Sequence, residues 1–221
     1  MHLTRFEINP ARRAARNLLA SPHKIHAAVM AAFPAAPPTD QPGRVLWRID
    51  RNQHQVLLYI VSPQRPDLTH LVEQVGRPTT QTWDTVDYRT LLDRLQTGQQ
   101  WAFRLSANPA QGTRKHSTTG RSQRHGHVTV AQQTQWLLDR AQRSGFTVET
   151  GGNDEPDVAV RGRQTLNFRR KDATVTLTVA TFEGHLRITD ADALRTSLVT
   201  GIGPAKGYGC GLLTLAPVRR A

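Results

Sequence analysis

The chain has 221 residues, of which 38% are hydrophobic and 21% charged, so it can bury the core of one mid-sized domain or two small ones and is not generally disordered. Lys and Arg number 29 against 17 Asp and Glu, a net charge of +12 with a pI near 11.2, which points to a polyanionic partner such as nucleic acid or an anionic membrane surface. No run reaches the roughly 18 to 20 apolar residues of a spanning helix, Met1 to Arg16 lacks a signal peptide's apolar stretch, and the single Cys210 excludes an internal disulfide or a multi-thiolate zinc site, so a reducing, cytoplasmic setting is expected.

His2 to Ile8 alternates Leu3, Phe6 and Ile8 with polar neighbours before Asn9-Pro10, which predicts a strand and a breaker. Ala11 to Ala20 reads as helical. Ser21-Pro22 then supplies an N-cap and a proline at the first helical position, so a second helix is expected from Pro22 to about Phe33, with Ile25, Val29, Ala32 and Phe33 at helical spacing. After the proline-rich loop Pro34 to Pro42, strands are expected at Arg44 to Ile49 and Gln55 to Val61, joined by a polar turn. A short helix at Asp67 to Val75 and a strand at Gln100 to Leu105 would complete a β-α-β-β-α-β order, the ferredoxin-like arrangement.

The second half repeats that order. Val128 and Val130 lead into an amphipathic helix, Ala131 to Ser144, whose buried stripe is Trp136, Leu137, Leu138 and Ala141. Strands follow at Phe146 to Glu149, Val158 to Arg169 and Thr174 to Phe182, then a helix near Asp190 to Leu198 and a strand at Leu212 to Leu215. The expected fold is thus α+β, two tandem ferredoxin-like βαββαβ domains at residues 1–108 and 109–221, divided near Asn108-Pro109. No sequence repeat relates the halves; element order alone carries the duplication.

Between Asp93 and Asp139 there is no acidic residue, while Arg94, Arg104, Arg114, Lys115, Arg121 and Arg124 are present with His116, His125 and His127. A solvated loop is the ordinary reading of one basic cluster. Here Arg161, Arg163 and the run Arg169-Arg170-Lys171, at an expected hairpin turn, add a second, and two basic loops in one half favour a phosphate-binding face. A membrane surface is disfavoured, because no helix combines a broad apolar face with a lysine-rich one.

The segment from Gly201 to Gly211 holds five glycines, Gly201, Gly203, Gly207, Gly209 and Gly211, around Lys206. It follows a helix and precedes a strand, and Lys206 is followed by Gly207, so neither a Walker loop nor a dinucleotide fingerprint fits. A plain helix-to-strand connection needs one or two glycines. Five suggest close backbone approach to a ligand or to another element, with Lys206 and free N–H groups able to cradle phosphate. At the start of the second helix His23 and His26, three apart, project from one face, with Lys24 beside them. The helix N-terminus attracts an anion and disfavours an imidazolium, leaving a neutral imidazole able to act as a base. A zinc pair lacks apparent third and fourth ligands.

These residues resemble CasE, the CRISPR repeat-cleaving endoribonuclease of the type I-E Cascade complex, within the RAMP superfamily. The resemblance runs through Leu3-Thr4-Arg5, Asn9-Pro10-Ala11-Arg12-Arg13, Ile25-His26, Leu46-Trp47-Arg48, the segment Phe103 to Pro109, Phe182-Glu183-Gly184 and the segment Gly201 to Leu213. It implies a tandem ferredoxin-like fold and metal-independent cleavage of precursor CRISPR RNA at the base of the repeat stem-loop, with no cofactor. The implied chemistry is attack of a 2'-hydroxyl on the adjacent phosphate, leaving a 2',3'-cyclic phosphate or 3'-phosphate and a 5'-hydroxyl. The implied partners are the repeat stem-loop and the other Cascade subunits, with no membrane. By position His26 matches the catalytic histidine, and His23 stands where some relatives have a tyrosine. An assisting lysine of one relative falls near Ala31, leaving Lys24 or Lys206 as substitutes. The RNA-binding set is then Lys24, Arg114, Lys115, Arg121, Arg124, Arg161, Arg163, Arg169, Arg170, Lys171, Gly203, Lys206, Gly207 and Gly209. A non-catalytic RNA-binding subunit is the alternative, since this fold serves both purposes.

Overall fold

A computed structural model describes residues 1–33, 43–77, 83–113, 123–126, 129–170 and 173–218. The first unit comprises β1 (His2–Ile8), α1 (Arg13–Leu19), α2 (Pro22–Met30), β2 (Leu46–Arg51), β3 (Val56–Ser62), α3 (Thr69–Val75) and β4 (Trp83–Asp87). Its strands form one antiparallel sheet in the order β2-β3-β1-β4. Phe6, Ile8, Leu58 and Ile60 bury one face of this sheet together with Ile25 and Val29 of α2 and Leu71 and Val75 of α3. The expected loop Pro34 to Pro42 lies outside the described residues, apart from which the helices and first three strands fall where the sequence predicts them.

A short helix α4 (Arg89–Leu92) leads to the second unit: β5 (Gln100–Ala107), a small pair β6 (Ala110–Thr113) and β7 (Gln123–Gly126), α5 (Val130–Ala141), β8 (Phe146–Val148), β9 (Val158–Arg170), β10 (Ala173–Ile188), α6 (Ala191–Thr200) and β11 (Leu213–Pro217). The sheet order is β11-β5-β10-β8, with β9 paired to β10 as a long hairpin. Numbered within its own unit, each sheet reads 4-1-3-2 from one edge, the ferredoxin-like order, so the chain is a tandem ferredoxin-like α+β protein. β9 and the β6–β7 pair are additions to that frame. The start of α5 is held by a capping box, in which the Thr129 hydroxyl accepts from the Gln132 N–H at 3.2 Å and the Gln132 side chain accepts from the Thr129 N–H at 3.3 Å.

One strand assignment changes. Gln100 to Leu105 is a strand, but it pairs with β10 and β11 and therefore opens the second unit instead of closing the first. The first sheet is closed by β4, which reads as polar because it is an edge strand: Trp83 and Val86 are its only apolar residues, and only Trp83 and Thr85 are half-buried. The passage from one sheet to the other thus falls within 88–99, and Asn108-Pro109 comes after the first strand of the second unit.

The units share apolar surface. Leu46 and Val61 of the first sheet are buried in one cluster with Tyr88, Leu92 and the core of the second unit, including Phe103, Leu105, Trp136, Phe182 and Leu198. That contact fixes the two units against each other and sets the geometry of everything built between them.

Candidate nucleic-acid interface

Burial of Ile25 and Val29 orients α2, leaving His23 and Lys24 exposed and His26 half-buried. Pro22 occupies the first helical position, and the Ser21 carbonyl accepts from the Ile25 N–H at 3.1 Å, although the Ser21 hydroxyl makes no capping bond. His23 therefore sits in the first turn and His26 opens the second.

The glycine-rich connection from α6 to β11 crosses from the second unit onto this helix. At Gly207, in a 3-10 turn over Lys206–Tyr208, a Cβ would lie 3.7 Å from both Cε1 and Nε2 of His26. The imidazole edge is thus faced by a residue with no side chain. Gly209, two residues on, has φ +81, and a Cβ there would lie 2.6 Å from the Trp47 ring of β2. Gly203 meets Trp136 of α5 in the same way, at 2.8 Å. Most of the close approach that the glycines permit is therefore approach to protein aromatics. The Lys206 ammonium donates to the Thr200 carbonyl at 2.7 Å, at the C-terminal end of α6. Burial, with the nearby charge of Arg44, pulls the Lys206 pKa down.

The β9–β10 hairpin packs over the other side of the connection. Phe168 meets Tyr208 edge-on at 4.9 Å between ring centres, and Phe168, Leu177 and Val179 bury Cys210, whose thiol is pushed up to about 12 by that burial. A bulge in β9 changes the register so that Gln164 pairs with Val179 but Arg161 with Thr181. Gly162 permits it with φ +56.

An ionic network joins the units beside this site. Arg48 of β2, almost wholly buried, donates from Nε to Asp50 at 2.7 Å and from a terminal nitrogen at 2.9 Å, and also reaches the carbonyls of Arg104 at 2.9 Å and Leu212 at 3.0 Å. Arg104 of β5 pairs with Asp50 at 3.0 Å and with Glu183 of β10, which in turn faces Arg161 at 3.5 Å. Burial by itself would raise the Asp50 pKa; the hydrogen bonds and charges of Arg48 and Arg104 outweigh it and hold the carboxyl below its usual range.

Of the residues singled out in the sequence, the fold brings together His26, Gly207, Gly209 and Lys206. Arg161, Arg163 and Arg169 are exposed along β9. Arg114, Lys115, Arg121 and Lys171 lie outside the described residues, and of Arg124 and Arg170 only the backbone is described. Among the described residues, no three His, Cys, Asp or Glu side chains gather as metal ligands, and no helix is long and apolar enough to cross a membrane. Sequence reading missed the Asp50–Arg104–Glu183 chain, whose only signal is the cross-strand pairing of Arg104 with Glu183.

A family model described as CRISPR associated protein matches residues 1–217, and the chain is 32% identical over 228 residues to the CRISPR-associated endoribonuclease Cse3 of Thermus thermophilus, covering 98% of this chain and 100% of that protein. The chain belongs to the CasE/Cse3 family of CRISPR-associated proteins. The Cascade subunit CasE of Escherichia coli is 29% identical over 185 residues, covering 78% of this chain and 89% of that one. A solved structure of T. thermophilus Cse3 bound to an RNA representing a pre-cleavage complex has a TM-score of 0.81 at 30% identity and covers 98% of each chain. In this CasE/Cse3 member, then, α2 of the first unit and the glycine-rich connection of the second enclose one imidazole edge.

Proposed function

We propose that this protein is an endoribonuclease that cleaves precursor CRISPR RNA within its repeats, at the base of the stem-loop, and remains on the product as a subunit of a Cascade-type ribonucleoprotein in the cytoplasm. The observation that carries the reading is His26, half-buried on α2 with its Nε2 edge against Gly207, in a chain that matches an endoribonuclease end to end. The first unit supplies the imidazole, while the second supplies the glycine-rich cover and the basic hairpin.

The reaction needs no metal on this reading. A base removes the 2'-hydroxyl proton as that oxygen attacks phosphorus, the bond to the 5'-oxygen breaks, and an acid returns a proton to the leaving oxygen, giving a 2',3'-cyclic phosphate and a 5'-hydroxyl; hydrolysis of the cyclic ester by water then leaves a 3'-phosphate. His26 takes one of these roles and His23 is the candidate for the other. Lys24, exposed in the first turn of α2, contributes positive charge toward the phosphate. Arg161, Arg163, Arg169 and Arg170 on the hairpin, with Lys171, Arg114, Lys115, Arg121 and Arg124, hold RNA phosphates. Cleavage of the host's repeat RNA in EDTA tests the proposal: cutting at the stem base with cyclic-phosphate ends is expected, and loss of activity in EDTA or binding without cutting would overturn it.

The glycines divide by function under this proposal. Gly207→Val adds methyls beside His26 without a backbone penalty, so it is expected to melt like wild type while cleaving repeat RNA much more slowly. Gly209→Ala places a Cβ against Trp47 at a left-handed φ, and overpacking with that strain costs about 2–4 kcal/mol. Thermal melts and cleavage rates of the two variants, run side by side, separate these effects.

A further inference from the structure

An open cleft of about 730 Å³ lies between the α1–α2 corner, β2 and the β9–β10 hairpin, within the range of small-ligand sites. Its lining is mixed. The half-buried Leu19, Ile49, Leu166 and Tyr208 give apolar surface, whereas Asp50, Arg104, Glu183 and Arg161 give a run of alternating charge. The β9 bulge puts Arg161 in this lining together with Gln164 and Leu166.

Four arginines, Arg51, Arg104, Arg161 and Arg163, line the cleft against two carboxylates, Asp50 and Glu183. Along the stretch where Asp50 and Glu183 engage the guanidinium groups of Arg104 and Arg161, the carboxylates would repel a further anion, so phosphate is a poor match there. A nucleobase fits such a mixed lining, having a flat apolar face and an edge that carries donors and acceptors together. Arg161, with 71% of its side chain exposed, stays accessible at the rim for the nucleotide's own phosphate. The cleft also adjoins the proposed reaction centre, because its lining includes Ile25, next to His26, and Tyr208 and Gly209, which follow Gly207.

We infer that this cleft holds an unpaired nucleobase of the RNA, next to the stem, stacked on the apolar side chains of the lining with its edge toward Arg104 and Glu183. The inference rests on the proposed RNA-cleaving function and adds a site that reads a base and not the backbone.

The probe is the host's repeat stem-loop with two unpaired nucleotides on each side and a 2'-deoxy scissile nucleotide that prevents cutting, compared with the same RNA made abasic at the unpaired positions. Wild type is expected to bind the abasic RNA roughly 5- to 150-fold more weakly, the loss for a stacked base. Gln164→Trp, at an exposed strand position lining the cleft, fills it with an indole. That variant is expected to bind both RNAs with the affinity wild type has for the abasic one, which also reports that it is folded. Equal binding of the two RNAs by wild type overturns this inference alone, as does discrimination retained by a folded Gln164→Trp. Failure of wild type to bind either RNA overturns the RNA-cleaving reading as well. Equal binding by wild type overturns the inference even where the variant misfolds.

Discussion

His26→Ala is expected to cleave repeat RNA at least about 100-fold more slowly than wild type, the usual loss for a general acid or base, while binding the RNA with unchanged affinity. The side chain is half-buried on α2 with one edge against Gly207, so its removal leaves the hairpin and its basic residues untouched. Single-turnover cleavage and a binding titration on the same preparation read both quantities. A near wild-type rate would remove His26 from the mechanism. His23→Ala belongs beside it: an equal loss supports two imidazoles sharing the proton transfers, and no loss leaves exposed His23 as a helix-terminus residue.

The second large effect is structural. Arg48→Ala removes the more buried of the two guanidinium partners of Asp50, together with hydrogen bonds to the Arg104 and Leu212 carbonyls and the Thr214 hydroxyl. Breaking a buried pair from one side costs about 3 kcal/mol or more, which corresponds to a fall in Tm of roughly 6–12 °C for a chain of this size. The same network gives stability a pH dependence. Because the folded Asp50 pKa is depressed, its contribution is complete above the unfolded carboxyl's value of about 4 and is lost as pH falls through the lower folded value. Arg48→Ala should therefore lose part of the wild type's stability difference between neutral and acid pH. Melts at neutral pH that coincide with wild type would show that the network does not hold the units together.

Where the sequence was legible, a local signal met a local cause. Ser21-Pro22 marks the start of α2 because proline at the first helical position lacks only an N–H that would have no partner there. Alternating Leu3, Phe6 and Ile8 mark β1 because one sheet face is buried. The Thr129 to Gln132 capping box is an equally local signal for α5, beside its buried stripe. β4 could not be read in that way, since an edge strand with little burial carries almost no periodic pattern. With β4 carrying no such pattern, Gln100 to Leu105 is the next strand the sequence shows, although it belongs to the second sheet.

The candidate site was legible only in its parts. His26 and the five glycines stand out as residues, but their meeting depends on how two units dock, which no spacing along the chain encodes. The glycines suggest close approach to a ligand or to another element, and four of them are shaped by the protein itself, by Leu46, Trp136, Trp47 and Ile202. Likewise Asp50, Arg104 and Glu183 come from three strands in two sheets, and only the register of those strands makes them a chain of charge.

The crossing of the glycine-rich connection onto α2 also bears on the order of synthesis. His26 is made early and Gly207 late, so at about 5–20 residues per second the imidazole waits roughly 9 to 36 s for the turn that faces it. During that interval the first unit can fold around its own core of Phe6, Ile8, Leu58 and Ile60, but its histidine edge stays open to water. A nascent chain on the ribosome, surrounded by RNA, thus carries the imidazole without the wall that shapes its surroundings, and the assembled centre arises only after α6 has been made and its following segment has docked.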